Sequence, residues 1–115
     1  MKVYYNHRQE PYFTFLKNGQ KTVEGRLQKG WYANVEPGDH IIVQSEDEAD
    51  RFETEVIAVR KYNSIEEMLT KEDIKKMLPD KNTIEEGVEV YQRFYTKDQE
   101  KEFGAVAIEV RGVNE

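Results

Sequence analysis

Residues 19–26 read Gly-Gln-Lys-Thr-Val-Glu-Gly-Arg. The octet lies where a helix-like segment gives way to a strand-like one, and it carries two cations and one carboxylate. Gly19 suits a helix C-terminus, because glycine takes the left-handed capping conformation without steric cost. In a strand, Thr22, Glu24 and Arg26 project to one face and Val23, Gly25 and Leu27 to the other. The apolar set predicts the core side. The polar set predicts a small charged patch on a rigid element, the support that a binding or catalytic group needs. Lys21 and Arg26 are read as anion holders, with Glu24 as a base or tether between them.

Upstream of the octet, Lys2-Val3-Tyr4-Tyr5 reads as a short strand. Residues 9–18 place Tyr12, Phe13, Phe15 and Leu16 near helical spacing, with Pro11 in the first turn. Downstream, Lys21–Gln28 is strand-like, and Lys29-Gly30 turns the chain. Val35–Asp39 is a turn in which the Asp39 side chain steadies the backbone. His40–Gln44 and Phe52–Tyr62 form an antiparallel hairpin around the acidic loop 45–51. Residues 64–78 read as two short helices: Ser64 with Glu67 makes a capping box for the first, and Thr70 is expected to cap the second. Thr83 with Glu86 opens another helix, running to about Tyr95. Residues 104–111 form a last apolar strand. About five strands and four helices in mixed order predict one α+β domain over residues 1–115.

The chain has 115 residues, 37% hydrophobic and 35% charged, enough for one modest core. It has no cysteine, which excludes disulfides, thiol catalysis and Cys-based zinc sites. His7 and His40 stand apart, so no metal and no cofactor is expected. No apolar run is long enough to span a bilayer and no signal pattern opens the chain, so a cytoplasmic protein without membrane contact is expected. The net charge of −6 argues against binding along a duplex. The charge is uneven, however. Residues 1–31 hold six Lys or Arg against two Glu, and residues 32–115 hold eleven against twenty-one Asp or Glu. A local positive site on an acidic body suits a small anion or a few nucleotides.

The pattern Gly-x-Lys-x-x-Glu-x-Arg of the octet resembles the signature of the ASCH domain, a member of the PUA-like superfamily. Three further stretches agree in the same order: Gly38-Asp39 before His40-Ile41-Ile42-Val43, Tyr91-x-x-Phe94-Tyr95, and Gly104-Ala105-Val106-Ala107-Ile108. The resemblance covers nearly the whole chain. It implies a small mixed or antiparallel β-barrel with flanking helices, and recognition of RNA. One ASCH-related subfamily hydrolyses the acetyl amide of N4-acetylcytidine with a lysine and a threonine. Its threonine nucleophile stands where this chain has Glu24, so this chain departs from that pattern.

Within this frame, Lys21, Thr22, Glu24 and Arg26 are the expected ligand contacts, and Trp31, Tyr12 and Tyr95 the expected stacking surfaces. Lys21 and Glu24 are the catalytic candidates. Three readings follow: a cleft that binds RNA or a nucleotide-like ligand; a metal-independent hydrolase using Lys21, Glu24 and Arg26 on RNA or on an amide of a modified nucleoside; and a domain whose acidic surface engages a basic protein.

Overall fold

The computed structural model describes residues 1–113. Five strands form one mixed sheet in the order β1-β3-β4-β5-β2: β1 is Val3–Arg8, β2 Val23–Leu27, β3 His40–Ser45, β4 Arg51–Tyr62 and β5 Ala105–Gly112. The pair β1·β3 is parallel and the other three pairs are antiparallel. Five helices flank the sheet: α1 Tyr12–Lys17, α2 Ile65–Lys71, α3 Ile74–Met77, α4 Ile84–Gln92 and α5 Lys97–Phe103. The architecture is a mixed five-stranded half-barrel with flanking helices. Among the described residues, no helix is long and apolar enough to cross a membrane.

The core divides along β5. Ala105 and Ala107 face α2–α4 and pack with Val23, Leu27, Ile65, Met68, Leu69, Met77, Leu78, Val90 and Tyr91. Val106, Ile108 and Val110 face the barrel interior, against Phe13, Leu16, Val35, Ile41, Val43 and Val56. The small residues lie where helices press on the sheet, and the β-branched residues fill the barrel side. A bulge between Val56 and Ala58 shifts the register of β4. With strict alternation Val59 would face outward. The extra residue returns it to the barrel side opposite Ile108 and leaves Ile57 in solvent.

Several boundaries differ from the sequence-based expectation. β1 does not stop at Tyr5 but runs on through Asn6, His7 and Arg8. Pro11 is the N-cap of α1 rather than a first-turn residue. Asp73, not Thr70, caps α3, because its side chain accepts from the Lys75 amide; the Thr70 hydroxyl instead donates to the Glu66 carbonyl inside α2. α4 ends at Gln92, so Tyr95 lies beyond it. A fifth helix follows, opened by a capping box of Thr96 with Gln99. Ser64 accepts from the Glu67 amide as expected, but the Glu67 side chain accepts from the Asn63 amide instead of closing a box; the full capping box at Thr83 with Glu86 is present. Gly19 follows the C-cap of α1 at φ 83°, in the left-handed region. Asp39 accepts from the amides of Lys2 and Glu36, tying β1 to the turn before β3.

Candidate functional site

β1 and β2 are the two edges of the sheet. The half-barrel curls until these edges face each other, and side chains bridge the seam. Alternation sends Tyr4, Asn6 and Arg8 of β1 and Glu24 and Arg26 of β2 toward it. Arg26 Nη2 donates to Asn6 Oδ1 at 3.1 Å. Arg8 Nη2 lies 3.1 Å from Glu24 Oε1. Lys21 Nζ is 3.7 Å from the same oxygen. One carboxylate therefore stands among three cations, and nearly all of the group is enclosed.

The enclosure is unevenly satisfied. Lys21 is 1% exposed. Its ammonium donates to the carbonyls of Val23 at 2.8 Å and Met77 at 2.6 Å, pinning α3 to β2. Glu24 is 3% exposed, and neither of its oxygens receives an aligned hydrogen bond; Arg8 is at ion-pair distance without hydrogen-bond alignment. The Nε–H groups of Arg8 and Arg26 are buried without acceptors. Each such orphan costs about 1–3 kcal/mol, so the seam stores unsatisfied donors rather than a closed network.

Electrostatics follow from this arrangement. Burial lowers the Lys21 pKa to about 8, with Arg8 and Arg26 adding to the effect and Glu24 opposing it. For Glu24, burial favours the neutral acid, but Arg8, Lys21 and Arg26 together outweigh it and hold the carboxyl down, at about 2. Glu24 is thus a fixed carboxylate. Burial pushes the Tyr91 phenol up, keeping it a neutral donor.

A cleft of about 370 Å³ opens beside the seam. Arg8 and Arg26 form its polar side, and Tyr12, Leu78, Val90, Tyr91, Phe94 and Tyr95 its apolar walls; His7, Gln9 and Glu46 stand with them. Gly25 also lines it. A Cβ there would lie 2.5 Å from the Tyr91 hydroxyl and 2.9 Å from Met68 and Met77 methyls, so only glycine lets α4 close over β2 and leave this space.

The expected site residues divide by position. Arg26, Tyr12 and Tyr95 line the cleft. Lys21 and Glu24 lie beneath it, enclosed. Thr22 joins β2 to its surroundings through backbone bonds with Lys76 and Val110. Trp31, in a 3₁₀ turn over Gly30–Ala33, stacks on Tyr4 with ring centroids 4.4 Å apart and on Tyr32 at 3.9 Å. Tyr32 in turn lies 4.8 Å from the Arg26 guanidinium. Trp31 is therefore the middle rung of an aromatic ladder behind Arg26, between Tyr32 and Tyr4, rather than a cleft wall. Sequence reasoning did not assign Asn6, Arg8 or Tyr32 to the site, and it read Tyr91 and Phe94 only as parts of the Tyr91-x-x-Phe94-Tyr95 segment, not as ligand contacts. Among the described residues, no group of three or more His, Asp or Glu side chains converges as a metal site.

The ASCH domain family model matches residues 7–113. The chain belongs to the ASCH domain family. Its structure is similar to the crystal structure of the hypothetical protein PH0355, at 40% identity and TM-score 0.88 over 96% of this chain and 99% of that one. It is also similar to the solution NMR structure of protein PF0455 from Pyrococcus furiosus, at 36% identity and TM-score 0.78 over 98% and 99%. A crystal structure of an ASCH domain from Lactobacillus crispatus, 15% identical with TM-score 0.56 over 94% and 79%, shares the fold. None of the curated proteins matches the chain.

Proposed function

We propose that the seam-side cleft binds RNA or a nucleotide-like ligand. The observation that carries this reading is the convergence of the Arg8 and Arg26 guanidiniums with the rings of Tyr12, Tyr91, Phe94 and Tyr95 in one cleft. Guanidiniums bind phosphate and carbonyl oxygens, and aromatic faces stack on bases of any sequence. ASCH domains are generally thought to bind RNA, which supports the same reading.

Binding is favoured over hydrolysis by the state of the two catalytic candidates. A carboxylate held as low as Glu24 is a weak general base at neutral pH. Lys21 Nζ faces two carbonyls beneath the cleft and has no open approach for a reacting atom. Their role in this reading is to hold a positive seam in place.

The test is fluorescence anisotropy of a labelled short single-stranded RNA at low salt, with mass spectrometry of the RNA afterwards. The expected result is saturable binding of intact RNA, weakened about tenfold or more in Arg8→Gln or Arg26→Gln, with circular dichroism showing both variants folded. Absence of binding by the unaltered protein, or equal binding by both variants, overturns the reading. Cleaved or deacylated product would transfer the assignment to the hydrolase.

A further inference from the structure

The cleft also bears on which part of a nucleotide ligand fits it. Its polar side is formed by the Arg8 and Arg26 guanidiniums, which outnumber the one lining carboxylate, Glu46, while Lys21 and Glu24 lie enclosed beneath. A ligand oxygen meeting the Arg8 and Arg26 guanidiniums where they line the cleft would gain charge-assisted hydrogen bonds. The opposite walls are aromatic, and Phe94 at the lip is 59% exposed. The volume of about 370 Å³ lies near the lower end of small-molecule sites, which run from about 300 to 1,000 Å³.

The exit past Arg8 is acidic. The next hollow shares Arg8, Gln9 and Glu46 with the cleft and is completed by Glu10, Ser45 and Asp47. The loop that supplies these carboxylates is fastened on both sides: Glu48 pairs with His7 at 2.6 Å, and Asp50 with Lys17 at 2.5 Å. A polyanion leaving the two arginines in this direction would run along carboxylates held within a Debye length, about 8–10 Å at moderate salt. A phosphate that ends there would not.

We propose that the cleft holds one nucleotide with a terminal phosphate on Arg8 and Arg26 and its base among the tyrosines, and that the acidic rim excludes the interior of a strand. This rests on the nucleotide-binding reading above. The shared chemistry is a base joined to a phosphate with a free end, supplied by a free mononucleotide or by a strand terminus.

Calorimetric titration at low salt tests it with five probes: adenosine, its 5′-monophosphate, its 3′-monophosphate, and an eight-nucleotide RNA with a 5′-hydroxyl or a 5′-phosphate. One of the monophosphates is expected to bind about tenfold or more tighter than adenosine, and the 5′-hydroxyl octamer no tighter than adenosine. Tight binding of the 5′-phosphate octamer would identify a strand terminus as the source, and its failure beside a tight mononucleotide would identify the free nucleotide; both support the proposal. If the 5′-hydroxyl octamer binds tightest, the strand interior enters the cleft: the proposal falls and the RNA-binding reading stands. If adenosine binds as well as the monophosphates, the phosphate subsite is overturned. If no probe binds, both readings fall. Glu46→Lys, an exposed substitution, supplies an independent check. It is expected to raise the affinity of the 5′-hydroxyl octamer about fivefold by reversing the rim charge, and no gain would overturn the exclusion argument.

Discussion

Two ionic clusters hold this half-barrel, and they are built to opposite rules. Where α2 meets β4 and β5, Arg60 donates to both oxygens of Glu72, at 2.6 and 2.8 Å, and to Glu109 at 2.9 Å, while the Tyr62 hydroxyl donates to Glu72 at 2.5 Å. One cation meets two carboxylates there, and the fork is fully used. At the seam between β1 and β2, three cations meet one carboxylate, and donors and acceptors are left over. The first cluster is a staple. The second leaves buried polar atoms without partners in the chain. The two differ in burial, in the sign of their excess charge and in the number of unmatched groups.

The largest expected difference concerns stability. Glu24→Gln would leave Arg8, Lys21 and Arg26 enclosed without a countercharge, at a cost of about 3–5 kcal/mol. Glu72→Gln should cost about 1–2 kcal/mol, because Arg60 is 38% exposed and can turn to water and to Glu109. Urea unfolding at neutral pH measures both. Equal losses would erase the distinction.

The next effect is the acid limb of the stability curve. The Glu24 pKa falls from 4.5 to about 2 on folding. A carboxyl with a depressed folded pKa adds stability above its unfolded pKa and loses it as pH falls toward the folded one. The window is therefore pH 4.5 to 2, and the loss is on the order of 3 kcal/mol. Glu24→Gln should flatten that limb. A variant whose acid unfolding parallels the unaltered protein would place the titrating group elsewhere.

Ligand affinity separates the clusters at a smaller scale. Arg26→Gln should weaken binding of a short RNA about tenfold, near 1.4 kcal/mol, while Arg60→Gln should leave it unchanged. Anisotropy titrations of the two variants side by side decide it. Comparable losses would mean that the cleft reads overall charge rather than the seam.

The sequence disclosed these clusters unequally, for physical reasons. Local alternation was enough to put Glu24 and Arg26 on one face of β2 and to send Val23, Gly25 and Leu27 to the core, while Lys21, just before the strand, joined them only through the octet pattern. Whether the polar face met water was not a local question. Curling of the sheet brought β1 alongside β2 and enclosed what alternation alone showed as an open patch. Arg8 was missed because β1 was ended at Tyr5, although Tyr4, Asn6 and Arg8 continue the two-residue period on one face. Its pairing with Glu24 spans the barrel seam and leaves no local trace. Trp31 was assigned to the ligand by its nearness in sequence to the octet, but it packs on Tyr4 and Tyr32 instead. The fifth helix carries its own signal, Thr96 with Gln99, and was readable as a capping box.

The smallest expected change in affinity belongs to Lys21, and its sign separates binding from folding. The Lys21 pKa falls from 10.5 to about 8, first through burial. Between pH 8 and 10.5 the folded state holds fewer protons than the unfolded state, so this residue makes stability rise with pH across that window. Over the same titration the seam loses one positive charge beside Glu24, Arg8 and Arg26. Anion affinity should therefore fall as pH rises through 8, by about two- to fourfold at moderate salt. Adenosine 5′-monophosphate is a suitable probe, because its own charge is constant over that range. A decline in affinity with a simultaneous gain in stability cannot come from unfolding. Lys21→Met should abolish both trends. If the pH dependence of binding survives in that variant, the positive field at the cleft does not depend on Lys21, and the seam cluster reduces to Arg8, Glu24 and Arg26.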